Sequence, residues 1–292
     1  MKNAVVRFGF VITLATAWLL LVETGTGAGT SAAGDELTWQ QLVQQHLESI
    51  APLDRLKARR TFAVQGDCEY RILAGGVLSA NGISQLVSKG ESYNMMFNFP
   101  AGEYGGTQYV TNGKKTDTRY SSGGQVNPLR VFLQGQDALL TEGLLGGELT
   151  TAWALLDVAG RRPRLKYQGI QDIDGRPLHR LDYRIRKGGM DLENRLYFDL
   201  KTFHHVLSTY EVEVSSQMGA TPEASSQNRV SRARVEERFS DFKDLGGFVL
   251  PTTWTLLYSK MTDDGSILLQ WRTTIKHSAA NVPFPENLLK MD

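Results

Sequence analysis

Leu192-Glu193-Asn194-Arg195-Leu196-Tyr197-Phe198-Asp199-Leu200 is the stretch on which the fold turns. Leu192, Leu196, Phe198 and Leu200 alternate with Glu193, Arg195, Tyr197 and Asp199. Successive side chains of an extended chain point to opposite faces, so this spacing gives a strand with one apolar face and one wet face. The same alternation precedes it, with His179, Leu181, Tyr183 and Ile185 set against Arg180, Asp182, Arg184 and Arg186. It continues through Val206, Tyr210, Val212 and Val214, then Val235 and Phe239. Phe248, Leu250, Trp254, Leu256 and Tyr258 extend it, and Ile267, Leu269, Trp271 and Ile275 close the series. Asn81-Gly82, Asn112-Gly113, Asp174-Gly175 and Asp264-Gly265 each lie between strand-like runs and suit tight hairpin turns. Antiparallel neighbours are therefore expected, not helical crossovers.

Upstream, strands begin at Thr61. Phe62, Val64, Cys68, Tyr70 and Ile72 share one face, and Tyr93, Met95, Phe97 and Phe99 share another. The segment from Glu36 to Ile50 has helical spacing, with Asp35 or Thr38 as its cap and Pro52 beyond its end. A second short turn is expected over Leu53 to Arg59. The middle of the chain differs. Residues 129–158 are rich in Leu, Ala and Gly, and Leu145, Leu149, Trp153 and Leu156 recur at helical spacing. Gly146-Gly147 is expected to divide this insert into two short helices. Residues 215–231 are polar, contain Pro222, and read as a loop. The expected fold is mainly β: one large, curved antiparallel sheet whose apolar face is covered by short helices.

The N-terminus has the pattern of an export signal. Lys2 and Arg7 precede an apolar run from Phe8 to Val22, and small residues follow to Gly34. Cleavage is expected after Ala28 or Ala33, so residues 1–33 are removed and 34–292 form a single domain. The apolar run is short against the ~20 residues of a membrane span. Cys68 is the single cysteine, so the chain can form no internal disulfide and has no acceptor for an N-terminal lipid. The expected location is periplasmic and soluble. Without the signal, basic and acidic residues balance, which argues against nucleic acid as a partner. Arg161, Arg162, Arg164 and Lys166 form a short basic cluster, read as a solvated loop or a contact for an anionic headgroup or acidic partner.

Catalytic signatures are missing. There is no G-x-S-x-G elbow, no phosphate-binding G-x-x-x-x-G-K-[ST] loop and no H-E-x-x-H. His204 and His205 are adjacent, so on a strand they face opposite ways and do not share a metal. Most carboxylates, Glu236 and Glu237 among them, read as members of the wet face. No enzyme, cofactor or metal is expected. What remains is the apolar face. Tyr93, Met95, Phe97, Phe99, Leu149, Trp153, Phe198, Tyr210, Trp254, Tyr258 and Trp271 are its candidate ligand-binding residues. Aromatic and Met side chains suit acyl chains, and they equally suit an ordinary core packed on helices.

Two hairpins carry a resemblance. Asn194-Arg195-Leu196-Tyr197-Phe198-Asp199-Leu200-Lys201-Thr202, then Val206 and Tyr210, resembles the strand, Asp-x-x-Thr turn, strand unit of the periplasmic outer-membrane lipoprotein carrier and lipoprotein-sorting family. Phe239-Ser240-Asp241-Phe242-Lys243 with Gly246-Gly247-Phe248-Val249-Leu250-Pro251 resembles its acidic-aromatic, Gly, apolar, Leu-Pro hairpin. His46-Leu47-Glu48-Ser49-Ile50 and the ending with Val282 and Phe284 fit the same order. The resemblance implies an eleven-stranded half-barrel, open on one side, with helices as a lid over an apolar cavity for acyl chains. It implies an exported carrier or sensor whose ligand is a lipid or an acylated protein, with envelope membrane proteins as further partners. The alternative is a non-catalytic envelope interaction module with a closed core. This chain is longer than the carrier pattern, and no motif in it places the family's lid-latching arginine.

Overall fold

The computed structural model describes residues 37–100, 105–120, 127–186, 191–214, 231–262 and 265–291. The expected export signal, residues 1–33, lies outside them, as do residues 215–230 of the expected 215–231 loop and Asp264 of an expected turn. Two helices, α1 (Trp39–Ile50) and α2 (Leu53–Ala58), lead into five strands: β1 (Thr61–Ala74), β2 (Ser79–Lys89), β3 (Ser92–Asn98), β4 (Gly106–Thr111) and β5 (Thr116–Tyr120). The insert follows as α3 (Pro128–Gly135), α4 (Ala138–Thr141), two 3₁₀ turns and α5 (Val158–Arg161). Seven strands complete the chain: β6 (Arg164–Ile173), β7 (Arg176–Arg184), β8 (Leu192–Asp199), β9 (His205–Val214), β10 (Ser231–Asp244), β11 (Val249–Thr262) and β12 (Gly265–Ala280).

All twelve strands belong to one antiparallel sheet, ordered β5-β4-β3-β2-β1-β12-β11-β10-β9-β8-β7-β6. The chain thus makes two meanders, and its last strand pairs with its first. The sheet is an open half-barrel, with one strand more than the resemblance implies. Its two edge strands, β5 and β6, are consecutive in sequence. The insert between them must therefore travel from one edge of the sheet to the other, and it does so across the apolar face. Leu129, Phe132, Leu133, Leu139, Leu140, Leu144, Leu145, Leu149, Trp153 and Leu155 are buried there in one cluster with the strand side chains. Register shifts in the β1–β12, β6–β7 and β8–β9 pairs add the local bends that curvature needs.

Local sequence explains the elements. Thr38 and Gln41 form a reciprocal capping box at the start of α1, which buries Leu42, Val43, His46 and Ile50. Asn127 accepts from the Leu129 amide, and Pro128 sits in the first turn of α3. Asp174 and Gly175, both with positive φ, make the two-residue turn between Ile173 and Arg176. Asn112-Gly113 also lies in a turn, where Asn112 Oδ1 accepts from the amides of Lys114 and Lys115.

Three expectations are corrected. Asn81-Gly82 makes no turn; both residues lie inside β2, and the reversal comes earlier, around Gly75. A Cβ on Gly82 would stand 2.0 Å from the Asn98 carbonyl oxygen, so this glycine serves close strand approach. Val206 leaves the inner face because the register shift between Tyr197 and Phe198 turns it outward, into a small second cluster with Leu178, Tyr197 and Leu207. Glu237 is not on the wet face. It lies in step with Val235 and Phe239 and is fully buried.

Candidate functional site

The eleven side chains singled out on the apolar face all meet in one interior, and none is more than 3% exposed. They pack on one another and on the insert. Phe97 stacks on Trp254 with ring centroids 5.8 Å apart and tilts against Trp271 at 6.0 Å. Phe132 of α3 meets Tyr258 edge-on at 5.9 Å. Trp153 stacks on His205 at 4.9 Å. Cavities of about 670, 760 and 420 Å³ open elsewhere, and none is lined by these eleven.

A polar seam runs through this apolar interior. It lies where residues 144–153 of the insert cross the sheet. Glu237 Oε1 accepts from the Gly146 amide at 2.8 Å and from Trp254 Nε1 at 2.9 Å. Tyr210 Oη stands 2.8 Å from the Leu144 carbonyl and 3.0 Å from Glu237 Oε2. Burial raises the Glu237 carboxyl to about 7, against the lowering effect of these hydrogen bonds. The neutral form also balances the hydrogen bonds. A protonated Oε2 donates to Tyr210, which leaves the tyrosine proton for Leu144.

Glu148 and His205 form the neighbouring unit. His205 Nδ1 is 3.0 Å from Glu148 Oε2, and its Nε2 is 2.7 Å from Ser208 Oγ. Burial pushes the Glu148 carboxyl up, but His205, with smaller help from His46 and a backbone hydrogen bond, brings the group below the ordinary range. An ionised carboxylate only accepts, so His205 Nδ1 donates. His46 of α1 completes the seam. Trp153 Nε1 donates to His46 Nε2 at 3.1 Å, so the ring proton sits on Nδ1 and points at the Phe203 carbonyl, 3.1 Å away. This neutral tautomer leaves no room for a second proton, and burial lowers the group to about 4.

Arg59, just past α2, joins the sheet's N-terminal strand to the insert. It is 5% exposed. Its guanidinium donates to the Glu148 carbonyl at 3.2 Å and the Thr150 carbonyl at 3.0 Å, and lies over the Phe62 ring at 4.6 Å. Burial lowers it to about 10, with Glu148 opposing. These are the contacts a latch on the insert would make. At the other end of the insert, Tyr183 Oη donates to Glu142 at 2.6 Å, and Arg161 turns inward to the Thr141 and Ala152 carbonyls at 3.2 Å each.

Sequence reasoning gathered the aromatic residues and missed most of the seam. Glu237 was legible, since a carboxylate at two-residue spacing between Val235 and Phe239 belongs to the apolar face. His46 was legible too, four residues beyond Leu42 on the buried side of α1. Arg59 and Glu148 follow no periodicity, and only the crossing of the insert brings them together. His204 and His205 do face opposite ways. His204 stacks on Phe242 at 4.2 Å, outside the seam. Among the described residues no cluster of His, Cys, Asp or Glu could hold a metal ion. Cys68 is buried, with its thiol pushed up to about 12 by desolvation.

The outer face is a lattice of ion pairs. Arg180 meets Asp182 at 2.7 Å, Arg176 meets Asp199 at 2.5 Å, Arg232 meets Glu211 at 3.0 Å and Arg238 meets Asp174 at 2.9 Å. Arg195 pairs with Glu193 and Arg234 with Glu236.

Fold and site together define an open antiparallel half-barrel whose apolar face is crossed by a hydrogen-bonded helical cover. The chain is similar to several solved structures. One is a LolA superfamily protein from Nitrosomonas europaea, at 14% identity and a TM-score of 0.48, covering 87% of this chain and 98% of that one. A second is an outer membrane lipoprotein-sorting protein domain from Vibrio parahaemolyticus, at 10% identity and 0.45, covering 84% and 96%. A third is a DUF1329 family protein from Desulfovibrio piger, at 10% identity and 0.40, covering 86% and 96%. No family model matches the chain, and no curated protein matches it in sequence. Among the described residues no helix is long and apolar enough to cross a membrane.

Proposed function

We propose that this protein is an exported, periplasmic, non-catalytic carrier or sensor that takes a lipid, or the acyl chains of a lipoprotein, between its apolar sheet face and the insert. The eleven inner-face residues would line that space, and the insert would move as a lid. One observation carries this reading: the insert is fastened to an otherwise apolar interior by buried polar groups that end on its backbone. Arg59 and Glu237 bind four backbone or indole groups between them, and three of these belong to residues 146–150. Hydrocarbon packing alone would cover the sheet at lower desolvation cost. Buried charged and polar groups are weak evidence for stability and suit parts that dock in one register and part again. The sequence resemblance to the lipoprotein carrier family points the same way.

The test is uptake of a fluorescent fatty acid by the delipidated protein, alongside native mass spectrometry for co-purified lipid. Saturable uptake that quenches tryptophan, and faster uptake by natively folded Arg59→Ala, is the expected result. No uptake by either form and no lipid carried from the cell would overturn it. The second reading, a closed interaction module for an envelope protein, would then stand. The complete burial of the eleven side chains favours that alternative.

A further inference from the structure

Four arginines at one corner of the outer face stand apart from the ion-pair lattice. Arg164 opens β6 and Arg184 closes β7, and the two are direct cross-strand partners. Directly opposed residues of an antiparallel pair share a face with Cβ atoms about 5 Å apart, where like charges repel. Arg162, held in a left-handed conformation at the end of α5, and Arg186, just past β7, lie beside them. All four side chains are exposed, and none has an ion pair or side-chain hydrogen bond among the described residues. The four border one cavity of about 760 Å³ with Arg180, Arg195, Asp182, Asp191 and Glu193. Two of those carboxylates are already engaged, Asp182 by Arg180 and Glu193 by Arg195. Only Asp191 remains to face four guanidinium groups. Arg161, their neighbour in sequence, takes no part, because it turns inward to the insert.

We propose that this corner is a binding site for a phosphate-bearing anion, held by Arg162, Arg164, Arg184 and Arg186. Repulsion across the Arg164–Arg184 pair becomes attraction when a dianion sits between the two groups. Guanidinium forks match phosphate oxygens bidentately and stay charged at all working pH values. A phosphate monoester brings two negative charges, which suits a cavity with a clear excess of arginine over free carboxylate. The source is either a soluble phosphate compound or the phosphate of a lipid headgroup. The site does not depend on whether the interior takes an acyl chain.

The experiment is a titration of the full chain with inorganic phosphate at low ionic strength, against chloride of matched ionic strength to subtract screening. Calorimetry gives the stoichiometry, and thermal unfolding gives a second readout. The wild type should bind one phosphate saturably, with a rise in Tm. The double variant Arg164→Gln/Arg184→Gln should bind at least tenfold more weakly. It should also unfold at a higher temperature than the wild type in the absence of phosphate, because the repelling pair is gone. Arg71→Gln, on distant β1, should bind as the wild type does. Sedimentation with phosphatidylcholine vesicles, with and without phosphatidic acid, assigns the source. Retention on phosphatidic acid that phosphate competes away supports the site with a lipid headgroup as ligand; phosphate binding without retention supports it with a soluble ligand. Absence of saturable phosphate binding, or equal binding by the double variant, overturns the proposal.

Discussion

Glu237→Gln tests the account of the seam most directly. The folded protein holds the Glu237 carboxyl at about 7, against an ordinary 4.5, and burial is the main cause. A group whose value is raised on folding contributes its full stability below its unfolded value and loses it as pH rises through its folded value. The contribution of Glu237 should therefore fall between pH 4.5 and pH 7 at about 1.4 kcal/mol per pH unit, for a total of about 3 kcal/mol, and hold level above that. Glutamine reproduces the neutral form. Its carbonyl can accept from Gly146 and Trp254, and its amide can donate to Tyr210, whose proton then serves Leu144. The variant should match the wild type at pH 4 and exceed it by about 3 kcal/mol at pH 8.5. Urea denaturation of both proteins at half-unit steps of pH measures the difference, in which all other titrating groups cancel. A difference that does not change with pH would refute the reasoning. It would mean that Glu237 is ionised in the folded state throughout, or that water reaches it.

His46 has the opposite sign. Its folded value of about 4 lies below an ordinary 6.5, so its contribution to stability should fall by about 3 kcal/mol as pH drops from 6.5 to 4, read as the difference between the wild type and His46→Gln in the same denaturation series, because the Glu237 contribution offsets it in the wild type alone. Arg59→Ala removes two charged hydrogen bonds and the contact with Phe62. It should cost about 2–4 kcal/mol and speed hydrogen exchange of the 146–150 amides more than that of the β10–β11 ladder. Gly82→Ala places a Cβ against the Asn98 carbonyl and should cost about 1–3 kcal/mol by denaturation; an unchanged midpoint would show that the two strands do not approach this closely. The Cys68 thiol, buried and pushed up to about 12, should react with a thiol reagent only at the rate of global unfolding; rapid labelling of the native protein would show that the β1 face is accessible.

Two-residue alternation is a strictly local signal, and it fixed what depends on local geometry. From residue types alone it follows that β7, β8, β11 and β12 are strands, which face of each is apolar, that the Asp174-Gly175 turn is tight, and that α1 has its cap at Asp35 or Thr38; the structure chooses Thr38. Nine of the eleven inner residues were legible for the same reason; Leu149 and Trp153 lie in the insert and were read from helical spacing. Asn81-Gly82 was misread because a glycine that lets two strands approach closely has the same local sequence as one that turns a hairpin. Only its position against Asn98 tells the two apart. Val206 was misplaced because the register shift puts it out of step with Tyr210 and Val212 of the same strand, and a shift belongs to a pair of strands.

Tertiary structure alone decided the seam. Arg59, Glu148, Glu237 and His46 are far apart in sequence. They meet because β5 and β6 lie at opposite edges of one sheet, so the chain between them has to cross the inner face. A crossing segment brings backbone amides and carbonyls into an apolar interior, and each needs a partner there. Arg164 stands opposite Arg184 through the β6–β7 hairpin, and the register shift between Tyr167 and Ile170 sets that pairing. Pattern along the chain determines which way each side chain points. Which distant groups then share a low-dielectric interior, and with what charge, is a property of the strand order in the sheet, because burial and Coulomb energy depend on distance through space.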